Sequence, residues 1–412
     1  GSNFAADLDL SQKKRLTREL IARGGVDDKH QPQAKRSFDD LLDSRYKQLL
    51  QMITGLPQHL HSDRELFNDK AFWDRMGRLG VPHMPVFRIN HTDPLYTRHF
   101  QEKVVKPSIP VVIQGLIDND PGWEGARQKW SSPERMAEFY GDIPVCIKEV
   151  DKTAVRVPLK MFFQYANTTK SDFPVYMCEK ELRPDLLADY SNPKPFRDDL
   201  YQQVLPEGDD GHPWLAYLLV GSKASGSPLH KDPIGSGAWN ALLYGQKRWC
   251  LFPPGTNTSL IGLKDGDPTT PPAYWWQDVY PRIVNDSRIE NVELMQKPGE
   301  IVFVPAGWYH VVLNLDMSIA VTQNFVLPSM LESTSRVLAS ENPVLSRVFL
   351  AQLYKKRPSL VKRLYSDLKA HSTGGGTTLK RMERMALEEE KSLRAENDKN
   401  QSTLMSQDQQ AL

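Results

Sequence analysis

A mainly β core with flanking helices, built as a β-sandwich or barrel, is the fold class this sequence predicts. Three observations predict it. Six short apolar runs lie between about 213 and 328, broken by Gly, Pro and Asn: Trp214–Val220, Gly237–Leu243, Arg248–Phe252, Glu300–Val304, Val311–Leu315 and Ile319–Phe325. Short strands so punctuated belong to sandwiches and barrels. Helical periodicity resumes at 329–371 through Val337, Leu338, Leu345, Val348, Phe349 and Leu353. A hydrophobic content of 40% with 9 Trp, 14 Tyr and 15 Phe suffices for one large core.

Taken in order, residues 3–35 are polar, with basic clusters at Lys13-Lys14-Arg15 and Lys35-Arg36. Phe38, Leu41, Leu42, Tyr46, Leu49, Leu50 and Ile53 recur at helical spacing, with Ser37 as N-cap and Asp40 in a capping-box position. This helix reads as a prop for the main domain. Pro110–Ile113 reads as a strand, Pro133–Tyr140 as a helix and Val145–Val150 as another strand. The expected division is a helical N-terminal extension (1–90), a catalytic domain (91–328), C-terminal helices (329–372) and a charged, solvated tail (373–412).

Composition narrows the function. With 52 basic against 51 acidic residues the net charge is +1, so no whole-protein field grips nucleic acid, although local patches stay open. Cys146, Cys178 and Cys250 form no CxxC pair, which suits a reducing compartment better than a disulfide framework or a cysteine-rich zinc module. No run approaches the roughly 18 apolar residues of a membrane helix, and no secretory segment opens the chain. Gly1-Ser2 without Met reads as an expression remnant. The expectation is a soluble intracellular protein with no membrane contact.

The chemistry centres on Ser227-Pro-Leu-His230-Lys-Asp232. On a strand, residues i and i+2 share a face, so His230 and Asp232 can both point into a barrel. His310, at the head of His-Val-Val-Leu-Asn-Leu, offers a third ligand. Two histidines and one carboxylate form the facial triad of non-heme iron(II) oxygenases, which leaves coordination positions open. On spacing alone, His230 and His310 read equally well as core histidines. Lys247 follows the tight turn Tyr244-Gly245-Gln246 beyond the strand bearing Asn240. It either faces solvent at a hairpin or faces inward to meet an anion, since a buried ammonium needs one. Ala320, Thr322 and Asn324 share a face, where Thr322 could donate to the same anion; Ser227 adds a hydroxyl at the mouth. Trp239, Tyr309 and Glu179 are candidate contacts for a cationic substrate, with core packing or a solvated charge as the plainer reading. Asn314 is a further candidate for orienting cosubstrate.

The run from Gly226 to Pro254 and the run from Gln296 to Leu315, continuing to Ala-Val-Thr-Gln-Asn-Phe, resemble the JmjC domain over about residues 95–330. Within that class the sequence most resembles the nuclear branch of bifunctional arginine demethylases and lysyl-hydroxylases. The resemblance implies a double-stranded β-helix, the jelly-roll of the cupins. It also implies iron(II) on His230, Asp232 and His310. Lys247 and Thr322 would hold the remote carboxylate of 2-oxoglutarate, with Asn240 and Ser227 around it; Asn324, like Asn314, either orients cosubstrate or satisfies buried backbone. Ser227 stands where that branch usually has threonine, which keeps the hydroxyl. The implied reaction consumes dioxygen and 2-oxoglutarate, with ascorbate as the reductant in vitro. The implied outcome is C-5 hydroxylation of lysine in Lys/Arg-rich protein segments such as histone tails or RNA-processing factors, ahead of N-methylarginine demethylation. A nuclear location follows from the same resemblance. The alternative is a catalytically silent scaffold in an RNA-processing or chromatin assembly. Direct nucleic-acid binding stays open, as does a homodimer through the C-terminal helices.

Overall fold

The computed structural model describes residues 64–80, 84–150, 153–205, 215–263 and 270–370. The expected helix at 38–53 and the charged tail after residue 373 lie outside the described residues.

Thirteen strands are described: β1 (Phe87–Asn90), β2 (Val111–Gln114), β3 (Pro144–Val150), β4 (Thr153–Pro158), β5 (Tyr176–Glu179), β6 (Ala216–Gly221), β7 (His230–Lys231), β8 (Gly237–Tyr244), β9 (Lys247–Phe252), β10 (Val292–Gln296), β11 (Ile301–Val304), β12 (Tyr309–Asn314) and β13 (Ser318–Phe325). They form a seven-stranded sheet, β1-β2-β11-β8-β13-β6-β5, a four-stranded sheet, β10-β9-β12-β7, and the hairpin β3-β4. All pairings are antiparallel except β1 with β2. This is the jelly-roll core with flanking helices that the sequence predicts.

Each strand alternates between two environments, as the two-residue period requires. On β8, Trp239, Ala241 and Leu243 join the large core under the helices, while Ala238 and Leu242 belong to small clusters between the sheets. On β9, Cys250 and Phe252 face the outer helices, and Trp249 and Leu251 face inward. The interior-facing positions of β8, β9, β12 and β13 therefore carry the candidate residues.

The turn after β8 is no ordinary hairpin. Gly245 adopts φ +85°, and a Cβ there would collide with the Met317 carbonyl. The chain uses it to leave the major sheet and enter the minor one, so β8 and β9 do not pair. The helical periodicity expected over 329–371 forms as three helices, Leu331–Glu341, Pro343–Lys356 and Pro358–Ala370. Their Leu331, Leu338, Leu345, Phe349, Leu353 and Leu364 complete the large core. The predicted helix Pro133–Tyr140 forms as read. β1, which falls within the N-terminal extension expected from the sequence, is an edge strand of the major sheet beside β2.

Candidate metal centre

His310 is the second residue of β12 and stands directly opposite His230 of β7 in the strand register. Their rings lie 4.2 Å apart between centroids. β7 ends at Lys231, so Asp232 falls just past the strand rather than within it. Its backbone stays extended (φ −59°, ψ 141°), and its carboxylate still joins the histidines. One ligand atom from each of His230, Asp232 and His310 lies within 4.8 Å of the other two.

The protonation pattern favours metal ligation. His230 Nδ1 faces the Pro228 carbonyl at 2.7 Å, and His310 Nδ1 faces the Trp308 carbonyl at 3.2 Å. A carbonyl only accepts, so each Nδ1 carries a hydrogen and Nε2 is the nitrogen left to face a ligand. Burial, then the neighbouring His230, lowers the His310 pKa to about 4, so this imidazole is neutral at pH 7. Asp232 Oδ2 is buried without a hydrogen-bond partner. An orphaned carboxylate oxygen beside two free imidazole nitrogens is the arrangement a divalent cation completes. Trp249 stacks on His310 at 5.9 Å and 26°, which fixes the ring plane.

A second polar group lies on the same interior faces. Lys247 is fully buried and not at a solvent-facing hairpin, and Asn314 is its partner in the register. Its Nζ donates to Asn314 Oδ1 at 2.8 Å and to Tyr176 OH at 3.0 Å, both neutral. Burial pulls its pKa down to about 7. Asn314 is itself held by Nδ2 donation to Ser225 Oγ at 2.8 Å. The Ser227 side chain lies beside the Tyr176 hydroxyl. Asn240 lies opposite Thr322 on the facing sheet, buried, with Oδ1 unpartnered. Thr322 donates its hydroxyl to the Trp239 carbonyl at 2.8 Å, and its oxygen keeps acceptor capacity. Asn324 donates to Ser236 Oγ at 2.9 Å and so braces the segment after Asp232.

Two candidate substrate contacts are corrected. Trp239 is fully buried and packs edge-on against Trp123 and Tyr190 under the helices, because its position on β8 faces away from the interior. Glu179 is buried in an ion pair with Arg156 and accepts from the Cys146 amide. Tyr309 is half-buried on the outer face of the minor sheet. Tyr176, Ser225 and Trp249 take part in the site but were not singled out in the sequence. Tyr176 and Ser225 lie outside the two long motif runs, and only the tertiary fold brings Tyr176 to Lys247 and Ser225 to Asn314.

Residues 217–325 match the JmjC domain family, described as a hydroxylase. A bifunctional arginine demethylase and lysyl-hydroxylase of Caenorhabditis elegans is 32% identical over 312 residues, covering 72% of this chain and 76% of that protein. The chain belongs to the JmjC family. Two further JmjC relatives are similar over less of their length. A lysine-specific demethylase of Arabidopsis thaliana is 36% identical over 227 residues, covering 53% of this chain and 23% of that protein. A 2-oxoglutarate and iron-dependent oxygenase of Mus musculus is 28% identical over 263 residues, covering 56% and 59%.

Proposed function

We propose that this JmjC protein is an iron(II)- and 2-oxoglutarate-dependent oxygenase that hydroxylates lysine side chains in Lys/Arg-rich protein segments. The observation that carries the reading is the pairing of two features on the interior faces of one barrel. One is a triad with an orphaned carboxylate oxygen. The other is a buried ammonium whose two partners are neutral. A linear dicarboxylate answers both, with one end at the metal and the other at Lys247.

In this reading His230 Nε2, Asp232 and His310 Nε2 hold iron(II). Lys247 and the Tyr176 hydroxyl bind the remote carboxylate, with Asn314 holding Lys247 in place, and Thr322 joins them when its hydroxyl turns from the Trp239 carbonyl to the anion. When bound, iron supplies the redox chemistry by which dioxygen, 2-oxoglutarate and a substrate C–H bond become succinate, carbon dioxide and a hydroxylated product. The protein's residues bind, orient and exclude water. Trp249, buried and stacked on His310, covers one face of its ring.

Lysine as the target rests on the lysyl-hydroxylase relative, which this chain covers by 76%. The same relative's name includes arginine demethylase. Hydroxylation of an N-methyl carbon gives a hemiaminal that collapses, so one site chemistry serves both outcomes. Histone tails or RNA-processing factors as substrates, and a nuclear location, rest on the sequence resemblance.

The test is succinate release from 2-oxoglutarate with iron(II) and ascorbate on Lys/Arg-rich and methylarginine peptides, read by mass spectrometry, with His230→Ala as control. Succinate dependent on His230 together with an oxygen added to lysine supports the proposal. Methyl loss moves it to demethylation, and neither product from iron-loaded protein leaves the scaffold alternative.

A further inference from the structure

The helix Leu331–Glu341 lies beyond the matched residues 217–325 and supplies none of the triad, yet it holds the segment of Asp232 from both sides. Thr334 donates Oγ1 to the Gly235 carbonyl at 2.8 Å, and Glu341 pairs with Lys231 at 3.3 Å. Between them Val337 lies against Gly235, where a Cβ would meet Val337 Cβ at 3.0 Å and Thr334 Cα at 3.1 Å. Positions 334, 337 and 341 share one face of a helix. That face therefore runs along residues 231–235, with the carboxylate ligand in the middle.

A third anchor comes from the helix Leu200–Val204. Tyr201 donates its hydroxyl to the Ile234 carbonyl at 2.6 Å. Ile234 sits at φ 55°, ψ 26°, a left-handed conformation that a β-branched residue avoids. A backbone so placed persists only where its surroundings over-determine it. Pro233, Ile234 and Gly235 each have their carbonyl tied, to the Ser236, Tyr201 and Thr334 hydroxyls respectively. Asp232 Oδ2 has no hydrogen bond of its own, so the strained turn after it sets where that oxygen points.

We propose that Thr334 and Tyr201 are positioning residues for the metal centre, and that the Leu331–Glu341 helix is a clamp holding Asp232 in its ligating pose. The inference rests on reading His230, Asp232 and His310 as the ligands. Its test measures Mn(II) affinity of the full chain by calorimetry, with thermal unfolding of the metal-free protein alongside. Thr334→Val and Tyr201→Phe each remove one hydroxyl at nearly constant shape. Each is expected to weaken Mn(II) binding by about tenfold, the scale of losing a ligand's outer support, with the metal-free protein still folded and its unfolding temperature lowered only as far as one lost buried hydrogen bond requires. Thr334→Ser, which keeps the hydroxyl, is expected to bind as the parent does. Unchanged affinity in Thr334→Val and Tyr201→Phe overturns the clamp, whatever happens to their stability. So does a Thr334→Ser as weak as Thr334→Val, or a loss of affinity that merely tracks loss of thermal stability. A parent that binds no Mn(II), or a His230→Ala that binds as tightly as the parent, overturns the ligand assignment itself and the clamp with it.

Discussion

Lys247 brings an ammonium into the barrel with a hydroxyl and an amide oxygen as its hydrogen-bond partners. Burial lowers its pKa from 10.5 to about 7, so the unfolded chain binds more protons than the folded one between those values. The Lys247 contribution to stability without 2-oxoglutarate therefore rises with pH across that window. A carboxylate docking at Lys247 restores the charge. Binding 2-oxoglutarate at pH 8 is thus expected to take up close to one proton, measured by calorimetry in two buffers of different ionisation enthalpy. Binding without proton uptake would show that the anion sits elsewhere. Lys247→Met is expected to abolish the uptake, flatten the pH dependence of stability and weaken 2-oxoglutarate by roughly 10- to 100-fold, the value of a charge-assisted hydrogen bond. His310 is already neutral, so its ligation releases little proton at pH 7.

At the scale of elements, the two sheets are joined and backed by buried polar bridges. Gln296 of β10 accepts from Trp249 Nε1 at 3.0 Å and donates to the Asn240 and Glu300 carbonyls at 2.9 and 3.1 Å. It thereby ties the minor sheet to the major one behind His310. Gln296→Leu leaves those partners unsatisfied and is expected to cost about 2–4 kcal/mol in urea unfolding. On the opposite face of β9, Arg248 pairs with Glu293 at 2.9 Å and donates to the Met76 carbonyl at 3.1 Å, holding the helix Lys70–Met76 against the minor sheet. Both side chains are 1% exposed. Arg248→Met alone is expected to cost about 3–5 kcal/mol because Glu293 remains buried and charged, while Arg248→Met with Glu293→Met recovers most of that loss. A double variant as unstable as the single one would mean that the helix contacts, and not the charge pair, carry the stability. Adjacent residues of β9 thus serve the interior and the outer shell, as the alternation of a strand dictates.

For the whole molecule, the C-terminal helices are part of the core, since Leu338, Phe349 and Leu353 are fully buried in it. Val344 is the one large exposed hydrophobic on those helices among the described residues. A homodimer through them would need that polar outer face, so light scattering is expected to give a monomer mass independent of concentration. A mass that rises with concentration would restore the dimer. Removing residues 331–370 exposes the core, and aggregation on expression is the expected result.

The sequence by itself determined the strands that carry the site, because two-residue alternation is a local property; spacing alone left His230 and His310 open as core histidines, and it is the resemblance of the two motif runs that singles out His230, Asp232 and His310. The sequence also determined the turn at Gly245, though not that the turn passes between sheets. Only the tertiary structure decided that Lys247 is buried, that Trp239 faces the helices, and that Glu179 is spent on Arg156. Each of those outcomes depends on which face of a strand meets which layer, and on residues more than twenty positions away. Tyr176 meeting Lys247, and Tyr201 and Thr334 bracing the turn after Asp232, are long-range contacts of the same kind. A hydroxyl has no sequence pattern announcing its acceptor; the acceptor is supplied when the sheets close and the helices dock.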